Sequence, residues 1–151
     1  MRAAVLPCLL LLSLAACSEG QPTAPAPAEP PAQPAVLDGV DLTQPLRVLG
    51  TEPFWSVDIA GQTLRYSGVD RPEQTAPNAG PVMTGTVATW TARTAQGHAL
   101  EISLMATECS DGMSDRVFPL TARVKIGDET LQGCAAATEA VMRVGESGAV
   151  R

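Results

Sequence analysis

The sequence predicts an all-β fold, a small antiparallel barrel or sandwich of about six to eight strands held by one disulfide. Three observations carry this. Apolar residues recur with period two through most of the region from Val36 to Ala135, the pattern of strands with one buried face. Glycine-containing turns punctuate that region at intervals near ten residues, as in small barrels and sandwiches. No segment of it carries a 3.6-residue apolar period. Closing such a sheet also removes edges that would pair with other chains.

The elements follow in order. The chain opens MRAAVLPCLLLLSLAAC, with Arg2 followed by an apolar run from Ala3 to Leu14. That run is too short for a resident membrane span and reads as a secretory signal, residues 1–16. Leu14-Ala15-Ala16-Cys17 resembles the bacterial lipobox, which predicts cleavage before Cys17 and acylation of its thiol; ordinary secretion with an incidental Cys17 is the alternative. A diacylglyceryl thioether plus an N-acyl chain such as palmitate supplies more than one lipid anchor, enough for stable attachment. Ser18, not Asp, follows the anchor, and this predicts sorting to the outer membrane with the domain facing the periplasm. Residues 17–37 then form the lipidated cysteine and a Pro/Ala-rich linker, SEGQPTAPAPAEPPAQPAVL. Such a composition buries too little to fold and favours extended polyproline II, so some twenty residues reach about 60 Å.

The β-domain is placed at 38–135. In PFWSVDIAGQTLRYSG, Trp55, Val57 and Ile59 alternate with Phe54, Ser56 and Asp58, and Gly61 turns the chain into a second strand. RPEQTAPNAGP, Arg71 to Pro81, is expected to be a loop. Val82 to Thr94 has strand composition. After Gln96-Gly97, HALEISLMATEC sets Leu100, Ile102 and Leu104 on one face. VFPLTARVKIG does the same with Phe118, Leu120, Ala122, Val124 and Ile126, and Gly127-Asp128 returns the chain into ETLQGCA. The tail, 136–151, is expected to hold a short helical turn at Thr138–Arg143 and a frayed Gly-Ser end.

Loss of Arg2 with the signal leaves nine basic against sixteen acidic side chains, a net charge of −7. No basic stripe exists to neutralise phosphates, which argues against nucleic acid, and a basic protein is the natural electrostatic partner. With Cys8 removed and Cys17 acylated, Cys109 and Cys134 remain in an oxidising compartment, and a disulfide is expected. The 25-residue separation makes it worth about 3 kcal/mol on the chain-entropy estimate.

GTEPFWSVDI near the start of the domain and CSDGMSDRVFPLTARVKIGDETLQGC near its end resemble a family of uncharacterised envelope lipoproteins of Gram-negative bacteria. Its members carry a GTEPFW motif and a CSDGMSD…GC motif. Phe118 stands where the family has an aromatic residue before proline. The layout of lipobox, linker and disulfide-bonded β-barrel is similar to lipoprotein inhibitors of c-type lysozyme, in architecture and not in motif. The resemblance implies no activity, because the family has none established.

The acidic stretch ECSDGMSD invites three chemistries. Glu108, Asp111 and Asp115 offer hard oxygen ligands for Ca²⁺, but their spacing is not an EF-hand's; a turn at Asp111-Gly112, with Asp115 bonding local N–H groups, is the simpler expectation. Ser110 and Ser114 are hydroxyl nucleophiles, yet His98, the sole imidazole, lies a strand length away, about 35 Å if fully extended. A pair of carboxylates for glycoside hydrolysis meets the objection that a barrel of a hundred residues has little room for a sugar cleft. Met83, Met105 and Met113 suggest soft-metal binding only weakly, without a histidine alongside. No metal, cofactor or catalytic residue is therefore expected. Trp55 and Phe54 read either as core and cover or as a stacking platform, with Glu52 shaping the turn before them. The expected recognition surface comprises Ser110, Asp111, Met113 and Asp115 with Glu52, Phe54 and Trp55, the loop pinned so that little ordering entropy is lost on binding. The functional expectation is a non-catalytic outer-membrane lipoprotein with a periplasmic binding domain that inhibits a basic cell-wall hydrolase such as lysozyme. The alternatives are a small cell-wall enzyme or an assembly partner of another envelope protein.

Overall fold

The computed structural model describes residues 35–69 and 71–151; the signal segment, Cys17 and the linker through Pro34 lie outside them. A short hairpin, β1 (Val36–Leu37) and β2 (Val40–Asp41), comes first. Then follow β3 (Leu46–Thr51), β4 (Phe54–Ala60), β5 (Thr63–Gly68), β6 (Arg71–Pro77), β7 (Val82–Thr84), β8 (Val87–Arg93) and β9 (Ala99–Met105). The chain ends with β10 (Asp115–Val117), β11 (Leu120–Ile126), β12 (Glu129–Ala137), α1 (Thr138–Arg143) and β13 (Ser147–Ala149). Among the described residues no helix is long and apolar enough to cross a membrane.

Nine strands make one antiparallel sheet in the order β6-β5-β4-β3-β12-β11-β9-β8-β7. It curls into a half-barrel until β6 meets the turn after β8. There Ala95 N–H donates to Thr75 O at 2.8 Å. Gln74 Oε1 accepts from Thr94 Oγ1 at 3.1 Å and from His98 Nδ1 at 2.7 Å. The all-β antiparallel expectation of a barrel or sandwich holds as a half-barrel, its sheet having nine strands against the expected six to eight, with two local corrections. Arg71–Pro77 is strand β6, not loop: it lies at the sheet edge, where Pro72 and Pro77 need not donate to a further strand. Val82–Thr94 is not one strand but a hairpin, broken at Gly85, whose φ of 57° favours glycine.

The period-two pattern explains the packing. Inward residues Leu46, Val48, Trp55, Val57, Ile59, Leu64, Trp90, Ile102, Leu104 and Val124 form the main core. On β12 the alternation sends Leu131 and Ala135 into it and turns Cys134 and Ala136 to the opposite face. There a second, smaller core gathers Phe118, Cys134, Ala136, Ala140, Val141 and Val150. Its cover is an annex made of the 106–119 connection, α1 and the chain's last residues.

The tail therefore does not fray at its Gly-Ser end. β13 pairs in parallel with β10, Asp115 to Ser147 through Val117 to Ala149, and Val150 is fully buried. The Arg116 guanidinium donates to the carbonyls of Val144 and Gly145. Pairing across some thirty residues leaves no local pattern, so composition alone points the other way. The helical turn forms over Thr138–Arg143 as expected.

Val150→Ala should destabilise the domain by about 1–3 kcal/mol, the cost of lost burial plus a cavity. Val82→Ala, at a side chain 69% exposed, should change the denaturant midpoint little. Equal midpoint shifts would show that the tail is not part of the folded unit.

Candidate functional site

The two sequence motifs meet in space. Trp55 on β4 pairs with Gly50 on β3 and with Gly68 on β5. A Cβ on Gly50 would collide with the Trp55 indole and lie 2.8 Å from Gln132 O. One on Gly133 would collide with Leu49 O and come within 3.0 Å of Trp55 Cζ2. The indole thus lies across two bare backbone positions, one from each motif, and close approach explains both glycines. Of the two readings of this aromatic pair, Trp55 takes the core one, at 4% exposed. Phe54, its neighbour on the opposite face, is 55% exposed.

The ECSDGMSD loop is held at its neck and along its length. Cys109 is disulfide-bonded to Cys134, and its backbone exchanges two hydrogen bonds with Phe118. The Asp111 carboxylate accepts from Met113 N–H at 3.0 Å, Ser114 N–H at 2.8 Å and Ser114 Oγ at 2.8 Å. Thr51 Oγ1, from the first motif, donates to Asp111 O at 3.0 Å. Ser110 Oγ accepts from Gly112 N–H, and Gly112 takes a φ of 72°. The local capping is thus done by Asp111 and not by Asp115, whose exposed side chain starts β10 while its N–H donates to Glu146 O. The reason is reach: Asp111 precedes the free N–H groups of the turn, whereas Asp115 follows them.

Partial burial works to raise the Asp111 pKa. The opposing bonds from the Ser114 and Met113 N–H groups and the Ser114 hydroxyl, with the Arg116 charge nearby, prevail and hold it below the ordinary carboxylate value. An anion so fully used inside its own loop is a structural group. It is a poor general base, most of its acceptor positions being filled within the loop.

Between the loop and the outer face of β3, β4 and β5 runs an open groove of about 590 Å³. Phe54, Val69 and Met113 form its apolar part; Arg47, Arg116, Asp111 and Glu146 are its charged residues. Trp55 and Ser114 also line it. The groove answers the objection about room, because it lies outside the barrel wall, where the annex steps down onto the sheet. Ser110 faces a smaller cavity with Cys109 and Gly133. Glu52, in a cis peptide bond to Pro53, is exposed beside Thr51. Arg47, Val69, Arg116 and Glu146 went unread in the sequence. Arg47 lies about sixty residues before the loop and Glu146 about thirty after it, and only the β12–β3 and β10–β13 pairings bring them to it.

His98 is bonded to Gln74 and Ser114 to Asp111, so no serine–histidine pair forms among these groups. Among the described residues no group of three or more His, Cys, Asp or Glu side chains gathers as a metal site. Met83 is on β7 opposite Ala88 and Met105 on β9 opposite Thr121, so pairing does not bring these two thioethers to Met113. Comparison of the chain with protein-family models, with known proteins and with solved structures gives no match.

Gly50→Ala or Gly133→Ala should cost about 1–3 kcal/mol by overpacking and move the Trp55 fluorescence, whereas Gly112→Ala should leave that emission unchanged. Since the folded-state pKa of Asp111 is depressed, its contribution is complete above the unfolded-state value and lost as pH falls through the folded one. Denaturant midpoints at neutral pH and in acid should therefore converge more closely for Asp111→Asn than for the natural chain. An unchanged pH dependence would show that the carboxylate is not held as described.

Proposed function

We propose that this protein is a non-catalytic, lipid-anchored binding module of the Gram-negative outer membrane, facing the periplasm on its linker and using the groove between its two motifs to hold a protein partner. The observation that carries the reading is the groove itself. Both motifs converge on it, one wall is pinned by a disulfide, and three large apolar side chains stand exposed in it. A preformed wall loses little entropy on association, and exposed aromatic and thioether side chains are the usual anchors of protein interfaces.

The net charge of −7 favours a basic partner, and a cell-wall hydrolase such as c-type lysozyme is the most concrete candidate. The exposed carboxylates near the groove include those of Asp115 and Glu146, whereas Asp111 bonds within its loop.

The test is a titration of the lipid-free chain, residues 18–151 with the disulfide intact, into lysozyme while cell-wall lysis is followed. Inhibition that weakens with salt and with the pair Asp115→Asn and Glu146→Gln is the expected result. Unchanged lysis at large molar excess would remove lysozyme as the partner.

A further inference from the structure

We propose that the groove anchors one lysine or arginine side chain of a polypeptide partner, its aliphatic stem against Phe54, Val69 and Met113 and its cationic head beside Glu146. This rests on the binding reading above and specifies its chemistry.

The apolar half of the argument is local concentration. Eight large hydrophobic side chains are exposed among the described residues, and three of them, Phe54 at 55%, Val69 at 69% and Met113 at 66%, share this one groove. Scattered singly they would need no explanation; gathered in a concave site they do.

The polar half is a balance of charges. Four charged side chains face the groove, two of each sign. Arg116 is spent on the Val144 and Gly145 carbonyls. Arg47 lies 3.5 Å from the Asp58 carboxylate. Asp111 accepts from three donors of its own loop. Glu146 stands furthest into solvent: its side chain is 91% exposed, and its ion-pair contact, to Arg116, is 3.7 Å long. Bonds to neutral carbonyls leave Arg116 charged, so the four lining charges alone sum to zero. Glu52 and Asp115, both exposed, lie close along the chain to groove residues and tip the balance to negative, four carboxylates against two guanidiniums. An anionic ligand would compete with Asp58 for Arg47 or with two carbonyls for Arg116, whereas a cation at Glu146 competes only with the long contact to Arg116. Lysine and arginine bury a hydrocarbon stem while keeping the head in water, and the Phe54 ring face offers a cation–π contact.

The experiment uses the lipid-free chain 18–151 and a set of short Gly/Ser peptides, each with one central lysine, arginine, norleucine or glutamate, titrated by calorimetry. The lysine and arginine peptides should bind about fivefold tighter than the norleucine peptide, as one cation–π contact plus one exposed ion pair supplies. The glutamate peptide should bind more weakly still. Glu146→Gln should abolish the preference for lysine over norleucine, and Phe54→Ala should weaken all four. Both positions are exposed, so the variants should keep the natural near-ultraviolet dichroism.

Equal binding of lysine and norleucine would overturn the proposal. So would tighter binding of glutamate, or no binding of any peptide. Lysozyme inhibition without a preference for lysine would sink the anchor and leave the binding module standing. Discrimination among the peptides without lysozyme inhibition would support the anchor and exclude only that hydrolase.

Discussion

The covalent bond between Cys109 and Cys134 is the constraint on which the second layer of this structure depends. Cys134 sits on the outward face of β12, within the smaller core, while Cys109 stands at the neck of a connection that otherwise leaves the sheet after β9. Joining them lays that connection back over the sheet. Phe118, α1 and Val150 then gather around Cys134, which is fully buried, while Cys109 stays half-buried at the edge of this core. A hundred-residue barrel has limited apolar surface to hide, and a stapled annex adds a buried layer without enlarging the barrel itself.

The staple also decides where the surface is concave. Had the 106–119 connection projected into solvent, the outer face of β3, β4 and β5 would be a flat wall of Arg47, Phe54 and Ser56. Folded back, the loop stands beside that wall and makes a groove. Thr51 and Asp111 tie the two sides together by one hydrogen bond. Inside the wall, the Trp55 indole lies over Gly50 and Gly133, so the residues that make the motifs distinctive as sequence serve mainly to let an aromatic ring approach bare backbone. A motif rich in glycine and tryptophan can look like a ligand platform and be a packing device; here the exposed ring is its neighbour, Phe54.

The loop carboxylates show how residue type and role separate. Three acids within eight residues suggested either a cation site or an acidic finger. One of them, Asp111, is consumed by the turn it shapes, Glu108 lies 3.4 Å from Arg151, and Asp115 is exposed at the start of β10. The acidic character offered to a partner comes instead in part from Glu146, near the end of the chain.

Much of the architecture was legible because it is written locally. Alternation identified the buried faces of β4, β9 and β11, glycines marked several of the hairpins, and two cysteines left without another role defined the staple. The proline-bearing edge strand β6 was misread because proline disfavours a central strand but not an edge, and edge position is a property of the whole sheet. The tail was misread because a parallel pairing of β13 with β10 has no sequence neighbourhood. By itself the sequence determined the strand faces, the disulfide and the acidic balance, since each follows from side-chain chemistry at fixed spacing. Only the tertiary structure decided that two distant motifs share a groove and which of its charges remain free, because both depend on long-range pairings that bring separate segments into contact.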